Sequence, residues 1–220
     1  MQVQSQPGVI DLVFATADSA SIQERVDALA LFTSFKSDQQ YDVHLTNNIP
    51  VVAAANSDFL ARTFLKGKYP FTLQVTTVQN PVNFLRIERP FTFIFDQIRV
   101  FDNTTGQQLG FIRRNITFCS RKLTVFDADE TTVLYTLYSG CCDIFTFHIE
   151  YGEGEGKTRV GDIKKVWAGL GKALLDADKF CVNFPPNCPP NHKAILFAAT
   201  FLLDVVYFSR RKNDRRSNLF

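Results

Sequence analysis

Sulfur, net charge and motif signals are all scarce in this chain of 220 residues. It has one methionine, one tryptophan and five cysteines, Cys119, Cys141, Cys142, Cys181 and Cys188. An odd cysteine count without a Cys-X-X-Cys pair argues against a disulfide framework and against a zinc site. The start of the chain lacks the basic residues and apolar run of a signal peptide, so reduced thiols inside a cell are expected. A net charge of only +2 excludes a broad basic face that neutralises many phosphates, and no specific nucleic acid partner is expected. The three histidines, His44, His148 and His192, stand in none of the contexts of a zinc protease, a nucleophile elbow or a phosphate loop. GEGEG at Gly152 to Gly156 carries Glu153 and Glu155, which repel phosphate, and reads as a hairpin turn. The expectation is a protein that is not an enzyme.

What is present is apolar bulk. A chain 45% hydrophobic and 21% charged is that of a globular domain, and its length allows one core. The 22 phenylalanines bias it toward β structure. Residues 1–20 are small and polar and read as a flexible lead-in. Ser21 and Glu24 have capping-box spacing, and Ile22, Val26 and Leu29 recur at helical intervals, which predicts a short amphipathic helix over about 21–34. From Tyr41 the period becomes two. YDVHLT, FTLQVTTV, VNFLRIER, FTFIFD, QLGFIRR, KLTVFD, TVLYTLYS and IFTFHIEY are divided by turn chemistry such as Asn47-Asn48, Asp102-Asn103 and Thr105-Gly106. Short strands so spaced imply a sandwich or a barrel. Phe91, Phe93 and Phe95, then Phe145 and Phe147, then Phe180, Val182 and Phe184 alternate, so each set is expected to face the core.

The C-terminal region departs from this period. After Pro189 and Pro190, the 15 residues Ala194 to Phe208 are apolar apart from Thr200 and Asp204. A helix apolar on all sides must be enclosed. At 1.5 Å per residue it reaches roughly 22 Å, short of the roughly 30 Å hydrocarbon core of a bilayer. Asp204 near its middle would add about 3 kcal/mol to insertion. A helix over 193–208 enclosed by a closed barrel is therefore expected, with Ala194, Phe197, Phe201, Asp204 and Phe208 buried and aromatic bulk filling the annulus. The tail from 209 holds Arg210, Arg211, Lys212, Arg215 and Arg216 against Asp214, giving it +4. It reads either as a contact for an anionic membrane, at about 1 kcal/mol per basic residue, or as a solvated tail.

LFTSFKSDQQYDV, YPFTLQV with LRIERPF, and GQQLGFI precede the long stretch VGDIKKVWAGLGKALLDADKFCVNFP, which holds Gly161, Ile163, Trp167, Gly169, Asp176, Asp178, Phe180, Phe184 and Pro185. KAILFAATFLLDVVYF follows. In this order, over residues 20–209, they resemble the phospholipid scramblase family, whose domain has the tubby-like fold. The resemblance implies a mainly β protein: a closed antiparallel barrel of about twelve strands around the C-terminal helix, with one short N-terminal amphipathic helix. Residues 21–209 would form that domain and 210–220 the basic tail.

The resemblance also implies energy-independent, calcium-stimulated movement of phospholipids between membrane leaflets. Its calcium segment falls on DADKFCVNFPPN, with Asp176, Asp178, Phe180, Val182 and Asn187 as candidate ligands. Calcium wants six to eight oxygens, and as an EF-hand loop the segment fails, with Cys181 at the sixth position and Asn187 at the twelfth, so any affinity should be weak. The preferred reading makes Asp176 and Asp178 turn residues leading into a strand. Phe91, Phe93 and Phe95 occupy the place of the family's acylated cysteine run. Cys141 and Cys142 are the remaining acylation candidates, although buried or half-buried strand-end thiols are the preferred reading. The proline-rich N-terminal arm of larger members is missing, and partners that read it are not expected.

Two functions from different classes follow. One is a scramblase, associated with the cytoplasmic face of a membrane, most readily the plasma membrane, with phospholipids and an anionic surface as partners and room for a homo-oligomer. The alternative is a membrane-associated tubby-like module that binds lipid or protein without transport. A lipocalin-like carrier is disfavoured, because the apolar helix competes for the barrel interior.

Overall fold

The computed structural model describes residues 7–25, 40–56, 69–152, 154–166 and 179–208. Twelve antiparallel strands form one closed barrel. They are β1 (Ser19–Glu24), β2 (Gln40–Leu45), β3 (Pro50–Asn56), β4 (Phe71–Thr77), β5 (Asn83–Arg89) and β6 (Gln97–Asp102), followed by β7 (Gln108–Arg114), β8 (Arg121–Asp127), β9 (Val133–Ser139), β10 (Thr146–Tyr151), β11 (Thr158–Val166) and β12 (Lys179–Asn183). Each strand pairs with the next, and β12 returns to β1 with Ser19 opposite Asn183 and Ile22 opposite Phe180. Closure leaves no strand edge unpaired.

A period of two builds the wall. Leu73 and Val75, Ile87, Val100, Ile112, Leu123 and Val125, Leu137, Ile149 and Val182 point inward and are buried. They surround α2 (Pro190–Leu203), which continues through a π-helical turn over Asp204–Phe208. Pro190 opens α2 where its missing N–H costs nothing. Every residue from Lys193 to Leu203 is buried, as the all-round apolar pattern requires. Gly110 lets wall and helix approach: a Cβ there would sit 2.6 Å from Ile195 Cδ1 and 2.8 Å from the Phe126 carbonyl oxygen.

One end of the barrel is closed by α1 (Val9–Phe14), whose Ile10, Val13 and Phe14 are buried. Phe14 meets Phe84, Phe184 and Phe197 at centroid distances of 6.3, 6.2 and 5.8 Å. Lys193 Nζ donates to the carbonyl oxygens of Phe14 and Ala15, 3.1 Å each, tying α1 to the start of α2.

The chain departs from its sequence reading in five places. Ser21 to Glu24 lie in β1, not in a helix, because Ala20 and Ile22 alternate into the core between β12 and β2; residues 26–39 lie outside the described residues. The short N-terminal helix is instead α1, inside the expected flexible lead-in. Strands β3, β6 and β11 were not among the expected segments. FTFIFD is no strand: Phe91, Phe93 and Phe95 are exposed in the connection from β5 to β6, where Pro90 has no N–H to continue the ladder. The aromatic filling also differs, since aliphatic side chains line the middle of the wall while phenylalanines gather at its two ends. Phe14, Phe84, Phe184 and Phe197 meet at one end, and Phe145, Phe147, Phe180 and Phe208 at the other. GEGEG does form the connection between β10 and β11, with a 3-10 turn over Gly154–Gly156.

Candidate functional site

Strand direction sorts the connections between two rims. The entry rim receives α2 and carries α1, with the turns β2–β3, β4–β5, β6–β7, β8–β9 and β10–β11. The exit rim carries the connections β5–β6, β7–β8 and β9–β10, and the described chain ends there at Phe208, two residues before Arg210.

At the exit end the helix carries its one acidic residue. Lys165 of β11 holds Nζ 3.4 Å from Asp204 Oδ1, with side-chain exposures of only 2% and 9%. The same ammonium lies 4.2 Å from the Phe208 ring centroid and 5.1 Å from that of Phe180. A carboxylate alone in this core would cost several kcal/mol, so an inward lysine is the physical condition for Asp204 in an apolar helix. Tyr207 follows, with the guanidinium carbons of Arg114 and Arg121 each 5.4 Å from its ring centroid. Burial raises its hydroxyl pKa, against the pull of Arg114.

The loop from β5 to β6 is clamped at its base. Arg89 Nη2 donates to Asp96 Oδ1 at 2.7 Å, Arg114 Nη1 to Asp96 Oδ2 at 3.2 Å, and Arg89 Nη1 to the Tyr69 carbonyl at 3.1 Å. Arg89 and Asp96 are themselves buried. Beyond the clamp Phe93 is 79% and Ile94 69% exposed. Thr92 Oγ1 donates to the Phe95 carbonyl across the loop, and Phe91 packs edge-on against Phe93 at 4.8 Å. The next exit loop exposes Ile116 and Phe118. The third exposes Cys141 and Cys142, which corrects the buried or half-buried reading of those thiols.

At the entry rim Tyr135 Oη lies 3.2 Å from His192 Nδ1 and 3.6 Å from Cys188 Sγ. Burial raises the pKa of Tyr135 and of Cys188 and lowers that of His192. All three are thereby held neutral near neutral pH, which disfavours the thiolate a nucleophile needs. His44 and His148 lie on strands, β2 and β10.

Only some of the sequence-derived candidates fall among the described residues. Asp176 and Asp178 lie outside the described residues, as do Arg210, Arg211, Lys212, Arg215 and Arg216. Phe180 and Val182 are buried on β12, leaving only main-chain oxygens to offer. Asn187 is exposed at φ 55° beyond the other end of that strand. Among the described residues no group of three His, Cys, Asp or Glu could hold a metal ion. Ala194, Phe197, Phe201, Asp204 and Phe208 are buried in the barrel. The sequence reading missed Lys165, whose parity with inward-facing Ile163 was its signal, and the Arg89–Asp96–Arg114 clamp, which has no local signal.

α2 occupies the barrel interior. The cleft lined by Tyr41, Ala55, Phe71, Leu73, Phe201 and Val205 has about 10 Å³, enough for about one water. By length and composition the helix Pro190–Phe208 could cross a membrane, but 78% of its most apolar stretch is buried in the barrel.

A sequence model described as Scramblase matches residues 1–210. Among curated proteins the chain is 25% identical over 223 residues to phospholipid scramblase 4 of Homo sapiens, covering 95% of this chain and 66% of that protein. It is 24% identical over 215 residues to phospholipid scramblase 1 of Mus musculus, covering 92% and 64%. To phospholipid scramblase 2 of Homo sapiens it is 26% identical over 209 residues, covering 89% and 69%. It spans 66%, 64% and 62% of the first three such relatives. No solved structure matches.

Proposed function

The chain belongs to the Scramblase family, and on that premise we propose that it moves phospholipids between membrane leaflets in both directions without an energy source. The observation that carries the reading is the family match across residues 1–210. The role is transport and involves no covalent chemistry. Phospholipid is the partner, and the site of action is the cytoplasmic face of a membrane, the plasma membrane first.

The filled barrel constrains the mechanism. With Lys193 to Leu203 buried against the wall, no headgroup passes along the barrel axis. Lipid moves along the outer surface, along a seam between copies in a homo-oligomer, or through a barrel whose helix has been displaced. Displacement would separate Lys165 from Asp204 and expose both ends of a buried ion pair. The basic residues Arg210, Arg211, Lys212, Arg215 and Arg216 add attraction to an anionic surface, each about 1 kcal/mol. Exposed Cys141 and Cys142 are accessible to acylation, which would add a second anchoring signal. Calcium binding rests on Asp176 and Asp178, with a Kd on the order of millimolar. Tight calorimetric binding well below that range would overturn this point.

Reconstitution into liposomes bearing a labelled lipid tests the main reading, with and without calcium. Leaflet exchange above that of empty vesicles is expected. Exchange equal to empty vesicles would leave the second reading, a lipid- or protein-binding module, which the closed and filled interior favours.

A further inference from the structure

The exit rim exposes several large apolar side chains. Phe91, Phe93, Ile94 and Phe95 stand above the Arg89–Asp96 clamp, and Ile116 and Phe118 project from the neighbouring connection between β7 and β8. Phe93, Ile94, Ile116 and Phe118 are each more than two thirds exposed, and they fall on loops that connect adjacent strand pairs of one rim. A soluble surface tolerates single exposed apolar residues, whereas a cluster of large ones on loop tips marks a contact.

Charge identifies the partner. Behind the tips, Arg113 is exposed with its guanidinium 5.8 Å from the Phe95 ring centroid, while half-exposed Lys122 lies near the start of β8 after the second loop. Asp143 is the exposed carboxylate on the third loop, and Asp96 is neutralised by two arginines. Apolar tips backed by cations match the layering of an anionic leaflet, with acyl chains below and phosphates above. The described chain also ends on this rim, at Phe208, two residues before Arg210 in the sequence. Exposed Cys119, Cys141 and Cys142 lie on the same rim. The opposite rim is capped by α1 and bears the acidic turn Asp129-Glu130.

We propose that the exit rim is a membrane-docking surface, with Phe93, Ile94 and Phe118 inserting into the interface of an anionic phospholipid leaflet and Arg113 and Lys122 meeting its phosphates. The proposal deepens the phospholipid reading above and depends on its lipid partner, but not on transport. It orients the barrel: the exit rim faces the bilayer, and α1 faces away.

Co-sedimentation with phosphatidylcholine vesicles containing phosphatidylserine tests it. The F93S/I94S/F118S variant should bind at least about tenfold more weakly than the parent, because each lost side chain removes apolar area from the interface. A control at the entry rim, V78S/V82S, replaces two exposed valines and should leave binding unchanged. Phe118→Trp, read against a parent whose one tryptophan is Trp167, should add a blue-shifted emission quenched by brominated lipid. Equal binding by the tip variant, or an unquenched tryptophan at position 118, overturns the docking surface. A parent dimer that the tip variant makes monomeric, with no vesicle binding by either, also overturns it and assigns the rim to a second copy. Leaflet exchange is scored separately: a parent that binds through these tips but exchanges no lipid sinks the transport reading and leaves the docking surface standing.

Discussion

The two ends of the barrel solve opposite problems with the same residue type. At the entry rim Phe14 is buried among three other phenylalanine rings, and the turns satisfy their own polar groups. Asp129, for example, accepts from the Thr131 and Thr132 N–H groups at 2.9 and 2.8 Å, and these hydrogen bonds with the Thr132 hydroxyl hold its carboxyl below the usual carboxylate range. At the exit rim Phe93 meets solvent beyond a buried arginine clamp. The entry rim is capped by α1, with Leu12, Val78 and Tyr151 exposed around it. The exit rim exposes the loop tips Phe93, Ile94, Ile116 and Phe118, on which the proposed leaflet contact rests.

The largest expected effects test whether both ends hold the helix. Phe14→Ala should cost about 3–5 kcal/mol in urea denaturation, by opening a cavity against Phe84, Phe184 and Phe197. Asp204→Ala should cost a similar 3–5 kcal/mol, because Lys165 stays buried without that carboxylate, while the D204L/K165M double variant should recover most of it. If only one of the two single variants destabilises, the helix is anchored from one end alone.

Smaller effects sharpen the contrast between the rims. Glu130 of the entry rim has its pKa lowered chiefly by the hydrogen bond from Arg99, 2.7 Å away. Its stabilisation is therefore present above the ordinary glutamate pKa of 4.5 and lost as pH falls through the lower folded value. For a pair this exposed, Glu130→Gln should cost under about 1 kcal/mol at neutral pH, and the difference from the parent should vanish in acid melts. At the exit rim Phe93→Ser should shift stability by no more than about 0.5 kcal/mol, since the side chain is in solvent. A calorimetric scan showing Phe93→Ser as costly as Phe14→Ala would erase the distinction between the rims.

Much of the barrel was legible from alternation, because an inward position every second residue is a local property of the strand. The helix was legible because a stretch apolar on every side admits no solvated face. Asp204 was visible as an anomaly, but its partner was not, since Lys165 lies 39 residues away and reads as an ordinary surface cation. FTFIF failed for the complementary reason. Its period is indistinguishable from that of FTLQV in β4, and what removes it from the sheet is Pro90 together with an arginine clamp assembled from β5, the loop and β7. Ser21 and Glu24 failed because capping-box spacing is met by chance on a strand whose pairing partners, β2 and β12, are set by barrel closure.

Taken alone, the sequence determined that this chain is a β-barrel with an enclosed apolar helix, because periodicity and composition are properties of neighbouring residues. Tertiary structure decided which phenylalanines are core and which are surface, where the one helix carboxylate finds its charge, and that α1 caps one rim while Phe93, Ile94, Ile116 and Phe118 stand exposed on loop tips of the other. Those outcomes depend on contacts between residues distant in the chain, and hydrophobic pattern carries no information about which of two equally alternating segments the ladder will accept.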